Sequence, residues 1–259
     1  VPPFAHGAIE DAVIAAGLPF FVEKPVALSL IEAERIADAV EKHGLVTAVG
    51  YHWRWLDVLD DVRQALGERR PRLVSGYWLD ATPPVEWWWK EACSGGQMLE
   101  QATHIDDLAR YLCGPVVSAY GLAEHSVRAA YPALDVATAS TASLGFEGGA
   151  IGTFAATCLL NWNHRVGLHL FGDGFAVEIT DHDVMIDVGA GRPVTPNGSD
   201  PVWHQDRAFV DAALGRENRI RCDYREAVET LAVMDAIARS VRSGEAVRLS
   251  PPVPAPGLE

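Results

Sequence analysis

Two periodicities alternate along the first fifty residues. Ile9, Ala12, Val13 and Ala16 recur at helical spacing between His6 and Gly17, and Gly17 is a natural stop. The apolar run Leu18 to Val22 then predicts a strand, since Phe20, Phe21 and Val22 favour extended backbone. Pro25 removes an amide donor and biases Lys24 away from the helical region, so the strand ends at Glu23-Lys24. Ser29 caps a second helix over Leu30 to His43, in which Ile31, Ile36, Ala37 and Val40 oppose Glu32, Glu34, Asp38 and Glu41. Leu45 to Tyr51 is a second, mostly apolar strand. Helix, strand, helix, strand predicts parallel pairing through a right-handed crossover. It also puts Lys24 at the carboxyl end of a strand, just before a helix, where open α/β sheets bind ligands.

Beyond Trp55 the rhythm changes. A helix over Asp57 to Leu66 and a strand over Arg72 to Leu79 lead into a loop, Thr82 to Ser94, rich in Trp and Pro. A helix follows from Gly95-Gly96 to Gly114, with Met98, Leu99, Ala102, Ile105, Leu108, Ala109 and Leu112 at packing positions. From Val116 the pattern becomes strands joined by tight turns: Ala137–Phe146, Ala150–Leu159, Gly167–Phe171, Phe175–Thr180 and Val184–Val188, which predict an antiparallel meander. Helices over His204–Leu214 and Tyr224–Ser243 come next, and the Pro-rich tail Pro251–Glu259 is expected to be irregular. The fold class is therefore α/β plus α+β: a parallel unit, residues 1–55, then a unit with a large, mainly antiparallel sheet and helices on one face, residues 56–259. The first unit is too small for a complete dinucleotide-binding domain, which needs two βαβαβ halves, and no G-x-G-x-x-G occurs.

Composition removes several partners. The formal charge of -14 argues against nucleic acid and anionic membrane surfaces, and no apolar run approaches the ~18 residues of a membrane span. Cys93, Cys113, Cys158 and Cys222 are widely spaced and contain no C-x-x-C, which suggests reduced thiols and a cytoplasmic location.

The densest candidate chemistry is "SGGQMLEQATHIDDLARYLCG", Ser94 to Gly114. Glu100 and His104 are four apart and share a helix face, with Asp107 three further on. A carboxylate beside an imidazole can orient it for proton transfer and favour its protonated form. Taken alone, a Glu and a His at this spacing are more commonly just a solvated pair. A metal at His104 and Asp107 lacks a third ligand, so none is assigned. Three consecutive rings, Trp87 to Trp89, cannot all face one way, and Trp88 is expected to stack on a sugar-like ligand in a cleft.

Four motifs in order, "PPFAH" (Pro2 to His6), "EKP" (Glu23 to Pro25), "GYHWRW" (Gly50 to Trp55) and "GGQMLEQATHIDD" (Gly95 to Asp107), resemble the Gfo/Idh/MocA family of nicotinamide-dependent oxidoreductases. The resemblance covers essentially the whole chain. It implies a Rossmann-type first unit, an NAD or NADP cofactor, and hydride transfer at a secondary alcohol of a sugar, cyclitol or related polyol. It further implies that Lys24, His104 and Glu100 are catalytic, Glu100 standing where the family carries Asp. Pro3, His6, Glu23, Lys24, Tyr51 and His52 would border the cofactor, and Trp88, Asp107 and Arg54 the substrate, although Arg54 also suits a structural role. Relative to the family the chain lacks the opening strands and helices of the nucleotide domain, on the order of three βα units at ~30 residues each. Tight dinucleotide binding by these 259 residues alone is accordingly not expected. The family's open sheet implies a homo-oligomer. A second reading is a non-catalytic assembly module that self-associates through that sheet.

Overall fold

The computed structural model describes residues 1–250, so the tail from Pro251 lies outside the described residues. A short 3-10 turn, Pro3–Ala5, precedes α1 (Ala8–Ala15), β1 (Phe20–Val22), α2 (Leu30–His43) and β2 (Thr47–Val49). The two strands pair in parallel, Phe21 opposite Ala48. Ser29 accepts from the Glu32 amide and Gly44 closes α2, both ends following from the local sequence. The buried face of α2 is Ala33, Ile36, Ala37 and Val40. Ile31, expected on that face, is 80% exposed, because the i, i+3, i+4, i+7 stripe is already filled from position 33.

A 3-10 turn at His52–Trp55 leads to α3 (Val58–Leu66), β3 (Leu73–Ala81), a further 3-10 turn at Glu86–Trp89, and α4 (Glu91–Ser94). The single helix expected up to Gly114 is in fact two segments: a π-helical turn, Met98–Ala102, and then α5 (Thr103–Cys113). There follow β4 (Val116–Glu124), β5 (Ala139–Phe146), β6 (Ile151–Leu160), β7 (Arg165–Gly172), β8 (Phe175–Ile179), β9 (Asp183–Asp187) and β10 (Val194–Pro196). Last come α6 (Pro201–Ala213), α7 (Tyr224–Ser243) and β11 (Val247–Arg248).

The large sheet runs β10-β9-β8-β7-β3-β6-β5-β4-β11. It is mainly antiparallel, but the meander is broken. Strand β3 inserts between β6 and β7, parallel to β6 and antiparallel to β7, so those two sequence neighbours never pair. Val74, Phe154, Ala142 and Leu144 face the helices in one core, and Leu73, Ile151, Tyr120 and Leu122 lie exposed on the opposite face.

Helix α7 joins the two cores. Tyr224, Ala227, Val228 and Leu231 pack with Phe20, Val22 and Ile36, whereas Val233, Met234, Ala236 and Ile237 pack under the large sheet. The Val49 amide donates to the Cys222 carbonyl, and the Tyr224 amide to Thr47 Oγ1, which ties the start of α7 to β2.

One core residue breaks the pattern. Asp106 on α5 is 1% exposed, and neither carboxyl oxygen has a partner among the described residues. Burial, and then the adjacent Asp107, push its pKa well above the usual value, so the neutral acid is favoured in the fold. A raised folded value means stability that is full below the unfolded pKa of about 3.9 and declines as pH rises toward the folded value, by about 1.4 kcal/mol per pH unit. Asp106→Asn removes that titration. Urea melts from pH 4 to pH 8 are expected to show the wild-type protein losing stability with pH more steeply than the variant; parallel curves would refute this account.

Candidate active site

Lys24 and Glu100, 76 positions apart, meet directly. Lys24 Nζ donates to Glu100 Oε1 at 2.9 Å and also to the Glu100 backbone carbonyl. Strand β1 ends at Val22 and Lys24 follows two residues on, while the π-helical turn brings the backbone and the side chain of Glu100 to the same ammonium. Such turns interrupt the ordinary hydrogen-bond ladder and recur at functional positions. The second carboxylate oxygen of Glu100 accepts from the Trp88 indole N–H at 2.8 Å. Glu23 is exposed beside Lys24, and its carboxylate lies over Gly50, so a side chain at position 50 would displace that carboxylate.

His104, on α5, is 5% exposed. Its ring stacks on Trp78, centroids 6.0 Å apart and planes at 23°, and meets His52 edge-on at 4.7 Å and Tyr51 at 5.9 Å. Gly76 makes the arrangement possible: a Cβ there would strike Ile105 and Phe154, so its absence lets α5 lie close to β3, and Trp78, two residues on, reaches the imidazole. Burial, then positive charge on Lys24, then His52, push the His104 pKa well below the ordinary histidine value. This corrects the expectation that Glu100 favours the protonated ring. The Glu100 carboxylate is turned to Lys24 and Trp88, and the neutral form of the His104 imidazole is favoured. His52 is shifted down as well, by burial and then by Lys24.

Among the described residues, His104 Nδ1, Trp78 Nε1 and Gln101 Oε1 are buried polar atoms without a hydrogen-bond partner. Buried polar atoms are ordinarily hydrogen-bonded, so the unpaired Nδ1 of His104 and Nε1 of the Trp78 stacked on it suit a polar ligand. Trp78 and Gln101 are absent from the candidates that motifs supply. The alternation of β3 places Trp78 on the helix side with Val74 and Gly76, and this is a signal only once β3 is known to run beneath α5.

The three expected substrate contacts are closed off by protein. Arg54, 2% exposed, donates from Nε and Nη2 to both oxygens of Asp107 at 2.7 Å, from Nη2 to Glu226 at 2.9 Å, and from Nη1 to the Arg221 carbonyl at 2.7 Å. Asp107 also accepts from Thr230 Oγ1 at 2.8 Å. It orients Arg54 rather than His104, because its side chain leaves the helix toward α7. Trp88 is 1% exposed and packs with Val136 and Cys158, so no ring face is left for a sugar.

Among the expected cofactor neighbours, Tyr51 is 1% exposed, and its hydroxyl pairs with Thr103 Oγ1 at 2.9 Å behind His104. It supports the imidazole and presents no surface to a ligand. Pro3 is buried in the first 3-10 turn. His6 Nδ1 pairs with Glu10 Oε1 at 2.6 Å, and His6 Nε2 is buried without a partner.

Removing one member of a buried ion pair leaves the other charge uncompensated, which typically costs 3–5 kcal/mol. Arg54→Met is expected to lower stability by about that much, and adding Asp107→Leu to recover part of it. Denaturant melts of the single and double variants measure this; a loss below about 1 kcal/mol for Arg54→Met would show that the pair does not hold the segments together.

A family model for the GFO/IDH/MocA C-terminal domain matches residues 64–178, and one for an oxidoreductase family with an NAD-binding Rossmann fold matches residues 1–51. Together they span well over half the chain. The scyllo-inositol 2-dehydrogenase (NAD(+)) of Bacillus subtilis is 28% identical over 179 residues, covering 66% of this chain and 51% of that protein. Among solved structures, the WlbA dehydrogenase of Bordetella pertussis, in complex with NADH and UDP-GlcNAcA, superimposes with a TM-score of 0.81 at 23% identity, over 96% of this chain and 77% of its own. A levoglucosan dehydrogenase in complex with NADH gives 0.84 at 19% identity, over 97% and 78%. The chain thus spans about half of that inositol dehydrogenase and about three quarters of those two solved chains. With both models of one family matched in order on a fold that agrees with them, the chain belongs to the Gfo/Idh/MocA oxidoreductase family.

Proposed function

We propose that the chain carries the substrate-side machinery of an NAD(P)-dependent dehydrogenase acting on a secondary alcohol of a sugar, cyclitol or related polyol. The observation that carries this reading is the meeting of Lys24 with Glu100 beside a neutral, buried His104 whose Nδ1 lacks a protein partner. A solvated Glu-His pair would have turned to bulk water, and a strand-ending lysine could have pointed elsewhere.

A nicotinamide, when bound, supplies the acceptor or donor of hydride at the substrate carbon. The residues that would border it are Pro3, His6 and Glu23, and the unpartnered Nε2 of His6 fits a polar group on such a ligand. Two of the three Lys24 protons go to Glu100, and the third is free to donate to a substrate hydroxyl and to stabilise negative charge as it develops on that oxygen. His104, neutral at physiological pH, takes or returns the hydroxyl proton. Trp78 holds the imidazole plane, and its indole N–H remains for a second hydroxyl. Glu100, with both oxygens occupied by protein donors, works through Lys24.

Polyol oxidation with NAD or NADP tests the reading. Lys24→Ala and His104→Ala are each expected to lower kcat/KM by about 100-fold or more, while cofactor affinity changes far less. Activity near the wild-type level in both variants would exclude this mechanism.

We also propose that a second copy of the chain covers the open face of the large sheet, where Leu73, Tyr120, Leu122 and Ile151 stand exposed. Light scattering at micromolar concentration is expected to report an oligomer, and a strict monomer would remove this proposal.

A further inference from the structure

Glu100 is held from two sides, by Lys24 and by the Trp88 indole, and Trp88 is too buried to meet a ligand itself. Lys24 alone would leave the carboxylate free to swing about its terminal torsion and exchange oxygens, since that torsion has a broad profile. The second donor, Trp88 Nε1, removes that freedom by occupying Oε2 at 2.8 Å while Oε1 faces Lys24 at 2.9 Å. Trp88 cannot follow a moving carboxylate. It lies 1% exposed between Val136 and Cys158, in a 3-10 turn whose next residue, Trp89, is itself pinned by an indole N–H bond to the Pro83 carbonyl at 2.7 Å. An indole nitrogen only donates, so it recognises a carboxylate oxygen and offers nothing to accept an ammonium proton from Lys24.

We propose that Trp88 is a positioning residue: through its N–H it fixes the Glu100 carboxylate, and through Glu100 it aims the one Lys24 proton left for substrate. The Trp-rich loop then contributes to the site from behind Glu100 without touching a ligand. The inference rests on the reading of Lys24 as the group that meets the substrate hydroxyl, yet its test needs no turnover, so a chain that oxidises no polyol still reports on it.

The test exploits the scarcity of lysine, for only Lys24, Lys42 and Lys90 are present. Trace labelling with acetic anhydride, read by mass spectrometry, gives the reactivity of Lys24 relative to exposed Lys42 in the folded chain. Trp88→Phe keeps a buried ring and deletes the N–H; it is expected to raise relative Lys24 labelling by about threefold or more. Glu100→Gln alone should raise it too, and Trp88→Phe added to Glu100→Gln should change it no further, since the relay is already cut. Unchanged labelling in a folded Trp88→Phe chain, or an equal effect of that substitution with and without Glu100→Gln, would overturn the proposal. Should Trp88→Phe not fold, the Trp88 indole resonance in an ¹⁵N-labelled chain decides. It is expected to move on Lys24→Met, because the carboxylate loses its other partner, and a resonance that stays in place overturns the relay.

Discussion

The bidentate contact between Arg54 and Asp107 is the constraint on which the candidate site depends. It lies at the meeting of three segments: the turn His52–Trp55, helix α5, and the start of α7, which reaches it through Glu226 and the Arg221 carbonyl. Two residues before Arg54 stands His52, and three before Asp107 stands His104, so the ion pair sets the 4.7 Å approach of the two imidazoles. Desolvating a guanidinium and a carboxylate is expensive, and here the cost is offset because four guanidinium N–H groups find acceptors and Asp107 gains Thr230 as a further donor. This completeness is also why neither residue can serve a substrate: an arginine that reads a ligand must keep part of its fork open.

Charge at the candidate site is arranged so that Lys24 and His104 stay in different electrostatic surroundings. Lys24 is compensated by the Glu100 carboxylate and carbonyl, whereas His104 has no carboxylate partner and lies where burial and two positive or potentially positive neighbours disfavour a third charge. Glu at position 100, where the resemblance implied Asp, acquires a physical reading from this. The longer side chain spans from the π-helical turn to Lys24 on one side and to the Trp88 indole on the other, and the backbone carbonyl of the same residue also reaches the ammonium.

Local signals carried some elements almost to the residue and missed others. Helix α2 was legible because Ser29 marks its start and its apolar positions keep helical spacing, and Lys24 because Pro25 behind it stops the strand that presents it. The insertion of β3 between β6 and β7 was not legible: periodicity reports which face of a strand is buried and is silent about which distant strand lies beside it. For the same reason Trp88 was misassigned. Its neighbours in sequence are two more tryptophans, and the acceptor that decides its orientation sits twelve positions away on a helical turn of unusual pitch. Asp106 was hidden by its company, since an acid next to Asp107 reads as part of a solvated face, and only the three-dimensional core reveals a carboxyl without partners.

The position of the site at a seam follows from α7. Lys24 belongs to the small parallel unit and His104 to the helix beneath the large sheet, and nothing in either core alone fixes the distance between them. Helix α7 supplies that distance, because its first half is packed into one core and its second half into the other within twenty residues of continuous backbone. A continuous helix transmits position with little slack, since every turn is held by its own hydrogen bonds. Arg110 reinforces the join by donating to Thr230 and Glu226 from α5, so the helix that carries His104 and the helix that buries the β1 core are bonded as well as packed. Convergence of Lys24 with the Glu100 and His104 face is thus a property of how the two cores are bolted to one helix, and the chemistry of the site inherits its geometry from residues that never approach a ligand.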